Sequence, residues 1–143
     1  MDPLSVMASV AGLLGAAGKV VSVLLAVKKS IIDAPRSMDQ MLSQIKELEI
    51  SLSAVQNFLL GVNSAPTGRI SMIRVDQLVA TLTEAVRTFS ELDTLVMSTA
   101  KDNGTPIKRR LRYVWKEDTV TSIMLRLERD KSSLSLMLNI TQW

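Results

Sequence analysis

The chain has 143 residues, with 17 Lys and Arg against 14 Asp and Glu, a net charge of +3, and neither His nor Cys. The absence of both residue types excludes a Ser-His-Asp triad, a thiol nucleophile, a disulfide and a zinc site built from His and Cys. Hydrophobic residues make up 47% of the chain, too many for a disordered protein, and aromatic residues only 3%, too few for a typical β-sandwich. We expect a single domain, residues 1–143, that is not an enzyme and uses no metal or cofactor.

The first predicted helix, Leu4–Val27, is apolar nearly all round. It contains 17 apolar residues out of 24, and its only charge is Lys19. Its length of about 36 Å is enough to cross a hydrocarbon core of about 30 Å. Its eleven Leu and Val residues favour insertion by roughly 3 to 7 kcal/mol, but a central lysine costs about 2.5 to 3.5 kcal/mol and the Gly and Ser residues cost more. This near-zero balance leaves two interpretations open, a central core helix or a conditional membrane-inserting helix.

If this helix inserts, Lys28 and Lys29 lie at the membrane interface, where cationic side chains anchor. The side chains predicted to enter the hydrocarbon are Leu4, Val6, Val10, Leu13, Leu14, Val20, Val21, Leu24 and Leu25.

Small residues in the same helix predict close helix–helix packing. Each glycine costs a helix about 1 kcal/mol relative to alanine, and a tight contact offsets that cost. Such a contact lies either within the bundle or between copies of the chain, and the sequence leaves both open. The residues assigned to it are Ala8, Gly12, Gly15 and Ala16.

The segment Gly12–Val20 resembles a phosphate-binding loop only superficially. Leu13 stands where that loop requires glycine, and Val20 stands where it requires Ser or Thr. The sequence therefore argues against nucleotide binding.

Two further helices follow, in residues 35–62 and 75–96. Apolar residues in both recur at alternating spacings of three and four, the pattern of helices packed at a shallow angle. The stripes are Met41, Ile45, Leu48, Leu52, Val55, Leu59 and Val62 in the second helix, and Val75, Leu78, Leu82, Ala85, Phe89, Leu92 and Val96 in the third. Asn63–Gly68 and Lys101–Pro106 are predicted to be loops.

The last stretch divides into a short basic-aromatic helix, Lys108–Trp115, and a long helix from Thr119 to about Gln142. Lys131 interrupts the stripe of the long helix and is expected to reach outward. That stripe consists of Val120, Ile123, Leu127, Leu134 and Leu138.

The basic segment Lys108–Lys116 has five cations and two aromatic residues in nine positions. One interpretation is that Leu111, Val114 and Trp115 pack inward under a solvated basic surface. The other is contact with anionic lipid, while the small net charge argues against nucleic acid. The residues assigned to lipid contact are Lys19, Lys28, Lys29, Lys108, Arg109, Arg110 and Arg112.

Long helices joined by short loops pack antiparallel, so the expected fold is all-α, an up-down bundle of four long helices plus a short fifth. The chain stops at Trp143 within a helical pattern. We therefore expect the bundle to be the N-terminal part of a longer multidomain protein.

Five segments carry a resemblance to a known family: Met1–Val27, Asp33-Ala34-Pro35, Val75-Asp76-Gln77-Leu78, Arg112–Glu117 and Leu127–Leu138. Their order and spacing over nearly the whole chain resemble the HeLo-like N-terminal domain of fungal STAND proteins, the NOD-like receptors. That domain is similar to the executioner bundle of mixed-lineage-kinase-like pseudokinases and to the coiled-coil domains of plant immune receptors.

The resemblance implies a cell-death effector, cytoplasmic at rest and at the plasma membrane when activated. It implies that Met1–Val27 is the membrane-active element and that oligomerisation through a downstream receptor module triggers it. Plant receptors that form cation channels have acidic residues in the first helix, whereas this chain has none between Asp2 and Asp33. Disruption by apolar insertion therefore fits better than a carboxylate-lined pore. The alternative function is a non-lytic homotypic oligomerisation or adaptor module whose first helix stays in the core.

Overall fold

A computed structural model describes residues 3–31, 34–62, 75–100 and 114–141. Within these ranges the chain forms four long helices and no strand: α1 (Pro3–Lys29), α2 (Arg36–Val62), α3 (Val75–Ala100) and α4 (Glu117–Thr141). The predicted all-α bundle of four long helices is confirmed. The predicted short helix Lys108–Trp115 lies outside the described residues, apart from its last two positions.

Each helix packs against two others, so the four helices occupy the corners of a square. α1 and α4 each contact both α2 and α3. The consecutive helices α2 and α3 therefore lie on a diagonal, not side by side. Twelve residues separate them in the sequence, which is long enough to join helices that are not neighbours.

The helix directions alternate along the chain, as the sequence predicted. α3 and α4 are antiparallel, because Thr88 contacts Asp130 while the later Glu91 contacts the earlier Arg126. α2 and α4 run parallel. Ser37 of α2 contacts Glu117 at the start of α4, and Glu47, ten residues later in α2, contacts Lys131, fourteen residues later in α4. The neighbours in space are therefore antiparallel in some pairs and parallel in others, which the expectation of purely antiparallel packing did not include.

The core is built from the predicted stripes. In α2 and α3 the described stripe residues are buried, among them Ile45 and Leu48 of α2 and Leu92 of α3, which are fully inaccessible. α4 contributes Val120, Ile123, Leu127 and Leu134. Because the stripes of α2 and α3 repeat every 3.5 residues, each of these two helices presents one continuous apolar edge to the centre of the bundle.

α1 occupies a corner of the bundle, as each of the four helices does. It contacts α2 and α3 extensively and contributes its large apolar side chains to the core, while one face remains in water. Positions 8, 11, 12, 15, 18 and 22 on that face are exposed, and they are all Ala, Gly or Ser. An apolar composition is compatible with this corner position because small side chains expose little hydrocarbon.

The stripe of α4 is interrupted by Asp130, which is only 4% exposed. The sequence pattern predicts the interruption at Lys131, one position later. Lys131 lies on the rim, as expected, and reaches Glu47 of α2 at 2.7 Å. The Thr88 hydroxyl lies 3.4 Å from the Asp130 carboxylate but also 3.0 Å from the Glu84 carbonyl oxygen, so its single proton is shared between two acceptors. Burial raises the pKa of Asp130 to about 6, which the Thr88 contact only partly opposes.

We predict that Asp130→Asn stabilises the protein at pH 7.5 by about 1 to 3 kcal/mol. The pKa of Asp130 rises from 3.8 to about 6 on folding, so the folded state binds more protons than the unfolded state between these values. The contribution of Asp130 to stability therefore falls as pH rises from about 4 to about 6 and stays low above it.

Urea unfolding of both proteins between pH 4 and pH 8 measures this difference. The exposed carboxylates are common to both proteins and cancel in the comparison. A variant that is less stable than the parent at pH 7.5 would contradict the proposed desolvation of Asp130.

Candidate functional site

The buried edge of α1 contains most of the residues predicted to insert into a membrane. Val6, Val10, Leu13, Val20 and Leu24 are all buried in the core, at most 4% exposed. Leu14, Val21 and Leu25 are partly buried and pack against that core. The side chain of Leu4 lies outside the described residues. The bundle therefore covers the large apolar side chains of α1 and holds them away from water.

The small residues of α1 lie on the opposite, exposed side. Ala8, Gly12 and Gly15 are exposed and Ala16 is partly exposed. A Cβ atom added to Gly12 or Gly15 would meet no atom within 4 Å. Gly12 and Ala16 line an open groove between α1 and α3, so neither Gly12 nor Gly15 makes the close contact that one alternative placed inside the bundle. Contact between copies remains the other alternative.

Two ion pairs connect α1 to its neighbours. Lys19 lies 3.9 Å from Asp93 of α3, and Lys28 pairs with Asp39 of α2. All four side chains are at least 40% exposed, so water screens both pairs and each contributes about 0 to 1 kcal/mol. Apolar contact is therefore the main attachment of α1 in the described structure.

Within the described residues, Ser5–Lys29 is long and apolar enough to cross a membrane, with a mean hydropathy of 2.1. Only 33% of its most apolar window is buried in the bundle. The core helix of a soluble protein passes the same test of length and composition, so this result alone does not identify α1 as a membrane span.

One end of the bundle brings together the last turn of α1, the first turn of α2 (residues 36–39) and residues 114–117. Contacts of Asp39 with Lys28, and of Ser37 with Trp115 and Glu117, join the three parts. We call this the cationic end; its basic residues Lys28, Lys29, Arg36 and Lys116 outnumber the acidic Asp39 and Glu117.

The predicted lipid contacts divide between this end and other places. Lys28 and Lys29 lie at the cationic end, whereas Lys19 is ten residues earlier, about 15 Å along the helix axis. Residues 108–112, with the predicted contacts Lys108, Arg109, Arg110 and Arg112, lie outside the described residues. The described residues nearest to them in sequence are at the cationic end, where Ser98 and Val114 line one groove between α3 and α4.

A partly buried polar chain lies within the cationic end. The indole Nε1–H of Trp115 donates to the Ser37 hydroxyl oxygen at 2.8 Å, and that hydroxyl donates to the Glu117 carboxylate at 3.0 Å. Trp115 and Ser37 are each 5% exposed. The inward packing of Trp115 was one of the two interpretations of the basic segment, while Ser37 and Glu117 were not identified from the sequence. No periodic pattern marks them, because hydrogen-bond partners 78 and 80 residues apart are set by tertiary structure.

Comparison with known proteins gives no match to a family model, a curated protein or a solved structure.

We predict that Gly12→Ala raises the free energy of unfolding by about 0.5 to 1 kcal/mol, because alanine is the better helix former and the added methyl group meets open space. Urea unfolding measures the change. Ala17→Gly is the matched control on the buried face, where the opposite change removes a packed methyl group and lowers stability. A loss of stability in Gly12→Ala would show that Gly12 is closely packed after all.

Proposed function

We propose that the chain is the N-terminal cell-death effector domain of a fungal immune-type receptor. It docks on anionic membranes and disrupts them after oligomerisation, when α1 leaves the bundle and inserts. The observation that carries this proposal is the division of α1 into a buried edge of large apolar residues and an exposed face of small ones, held by two exposed ion pairs. The HeLo-like resemblance supports the cell-death role, the cytoplasmic resting state and a downstream receptor module.

Release of α1 costs free energy in water, and a bilayer offsets most of that cost. Six Val and Leu residues of its edge are buried, and exposing them to water costs roughly 9 to 18 kcal/mol at about 1.5 to 3 kcal/mol each. Lipid tails are as apolar as leucine, so a bilayer replaces most of that lost contact. Lys19 and the Gly and Ser residues oppose insertion, while no carboxylate on α1 adds to that cost.

The position of the cationic end directs α1 toward the membrane. α1 and α2 form an antiparallel hairpin whose connection lies at this end, next to Lys28 and Asp39. If the end rests on an anionic surface, opening the hairpin points α1 into the bilayer. Lys28 and Lys29 then remain at the head groups on the near side.

The exposed small-residue face provides a surface for contact between copies on activation, because Ala and Gly allow helix backbones to approach closely in lipid. The same face is accessible in the resting bundle. It therefore also supports the second candidate function, non-lytic homotypic oligomerisation with α1 retained in the core.

We predict that tying α1 to α3 abolishes membrane leakage. The chain has no cysteine, so Lys19→Cys with Asp93→Cys gives one defined pair, which a short cleavable bis-maleimide crosslinker joins. The crosslinked protein is expected to bind anionic vesicles without releasing an entrapped dye, and cleavage of the linker is expected to restore release. Forced clustering is supplied in both states by a fused oligomeriser.

The matched control is Glu91→Cys with Arg126→Cys, which ties α3 to α4 and leaves α1 free. This protein is expected to release dye whether or not it is crosslinked. Equal leakage from the α1-tethered protein before and after cleavage would rule out insertion of α1 and favour the non-lytic module.

We predict that Lys29→Gln with Arg36→Gln weakens binding to phosphatidylserine vesicles about 30-fold, because each cation near an anionic surface contributes about 1 kcal/mol. Both residues are exposed at the cationic end. Lys46→Gln with Arg87→Gln removes the same charge elsewhere on the bundle and is the control. Vesicle co-sedimentation at low salt measures binding, and equal weakening by both pairs would show that the net charge, and not the cationic end, determines docking.

A further inference from the structure

We propose that the hydrogen-bond chain Trp115–Ser37–Glu117 is a latch that keeps the α1–α2 hairpin closed until an anionic membrane withdraws the Trp115 indole. This inference rests on the proposed function and names the regulation of the same site. The latch consists of these three residues alone.

The latch is a polar chain in which Trp115 and Ser37 are buried and Glu117 is exposed. The Ser37 hydroxyl accepts from the Trp115 indole and donates to Glu117, so its donor and one acceptor position are both occupied. A buried polar group that loses its partner costs about 1 to 3 kcal/mol. Removing the indole therefore takes away the hydrogen bond that the Ser37 hydroxyl oxygen accepts from Trp115.

The latch acts on the first turn of α2, which also holds the end of α1. Ser37 is two residues from Asp39, the partner of Lys28, and next to Met38, which is fully buried. The backbone N–H of Met38 donates to the Pro35 carbonyl oxygen at 3.0 Å, which ties this turn to the connection from α1. A shift of the turn therefore disturbs both the ion pair at the end of α1 and the connection between the two helices.

Trp115 is placed where it can leave without unfolding a helix. It precedes α4 and is not helical, and α4 retains its own first backbone bond from the Val120 N–H to the Lys116 carbonyl oxygen, at 2.9 Å. Tryptophan is also the residue type that favours the interface between water and lipid, because its ring is apolar and its N–H is polar.

The neighbours of Trp115 in sequence supply the attraction to an anionic surface. Lys116 follows Trp115 and is exposed. The five positions before Trp115 contain Arg110, Arg112 and Tyr113. In water the indole is held by apolar burial and by Ser37. At an anionic interface the adjacent cations bind head groups, and the indole exchanges its buried site for the head-group region.

The first test uses tryptophan fluorescence. Trp143→Phe leaves Trp115 as the single tryptophan, because the chain has two. Phosphatidylserine vesicles with brominated lipid are expected to quench this emission, and brominated phosphatidylcholine vesicles are expected to leave it unchanged. Emission that stays unquenched while the protein binds phosphatidylserine vesicles would overturn the latch, since the indole would have remained buried during docking.

The second test weakens the latch. Trp115→Phe retains the ring and loses the donor, and Ser37→Ala loses the hydroxyl; each is expected to speed leakage from phosphatidylserine vesicles about fivefold, the equivalent of about 1 kcal/mol. Thr88→Val removes a buried hydroxyl between α3 and α4 and controls for stability alone, with urea unfolding of all three variants as the check on folding.

The results of these tests distinguish failure of the latch proposal from failure of the proposed function. If the parent leaks vesicles and the α1 crosslink blocks it, but Trp115→Phe and Ser37→Ala leak no faster than Thr88→Val, the latch is overturned and the proposed function stands. If neither the parent nor any variant causes leakage when clustered, both are overturned.

Discussion

The structure depends on the apolar contact between the buried edge of α1 and its neighbours α2 and α3. Six Val and Leu residues form this edge, and it is the main attachment of α1 in the described structure, since the ion pairs of Lys19 and Lys28 are exposed. Apolar contact is not directional and does not distinguish a protein core from a lipid core. The same side chains therefore make α1 a stable bundle helix in water and a candidate membrane helix at a bilayer.

The exposed face of α1 explains how a helix of such apolar composition can lie at the surface of the bundle. A helix that is apolar all round is normally buried, yet α1 occupies a corner of the bundle. Ala, Gly and Ser on the outer face expose little hydrocarbon, so the bundle tolerates that face in water. Gly12, Gly15 and Gly18 reduce helix stability, and no close contact in the described structure compensates for that cost. Contacts between copies of the chain or in lipid are the ones that would compensate for it.

The sequence predicted the helices and most of the core because both depend on local periodicity. Stripes such as Ile45–Leu48–Leu52 of α2 are buried as expected. The diagonal arrangement of α2 and α3 was not predicted, because helix periodicity does not specify which helices become neighbours. Asp130 was missed because a charged residue at a core position resembles an interruption of the stripe, and Lys131 beside it offered a simpler explanation. The Ser37–Trp115 contact joins distant parts of the chain and leaves no local signal.

In the proposed function, docking of the bundle on the membrane and release of α1 begin at the same place, the cationic end. The connection between α1 and α2, the ion pair of Lys28 and the buried Trp115 all lie there, whereas Ala8 lies near the opposite end of α1 and is exposed to water. The most direct test places an environment-sensitive fluorophore on Ala8→Cys and adds phosphatidylserine vesicles with lipids brominated deep in the acyl chain. Insertion of α1 predicts a blue shift and quenching after clustering, while a fluorophore that stays in water as the cationic end binds would contradict the account.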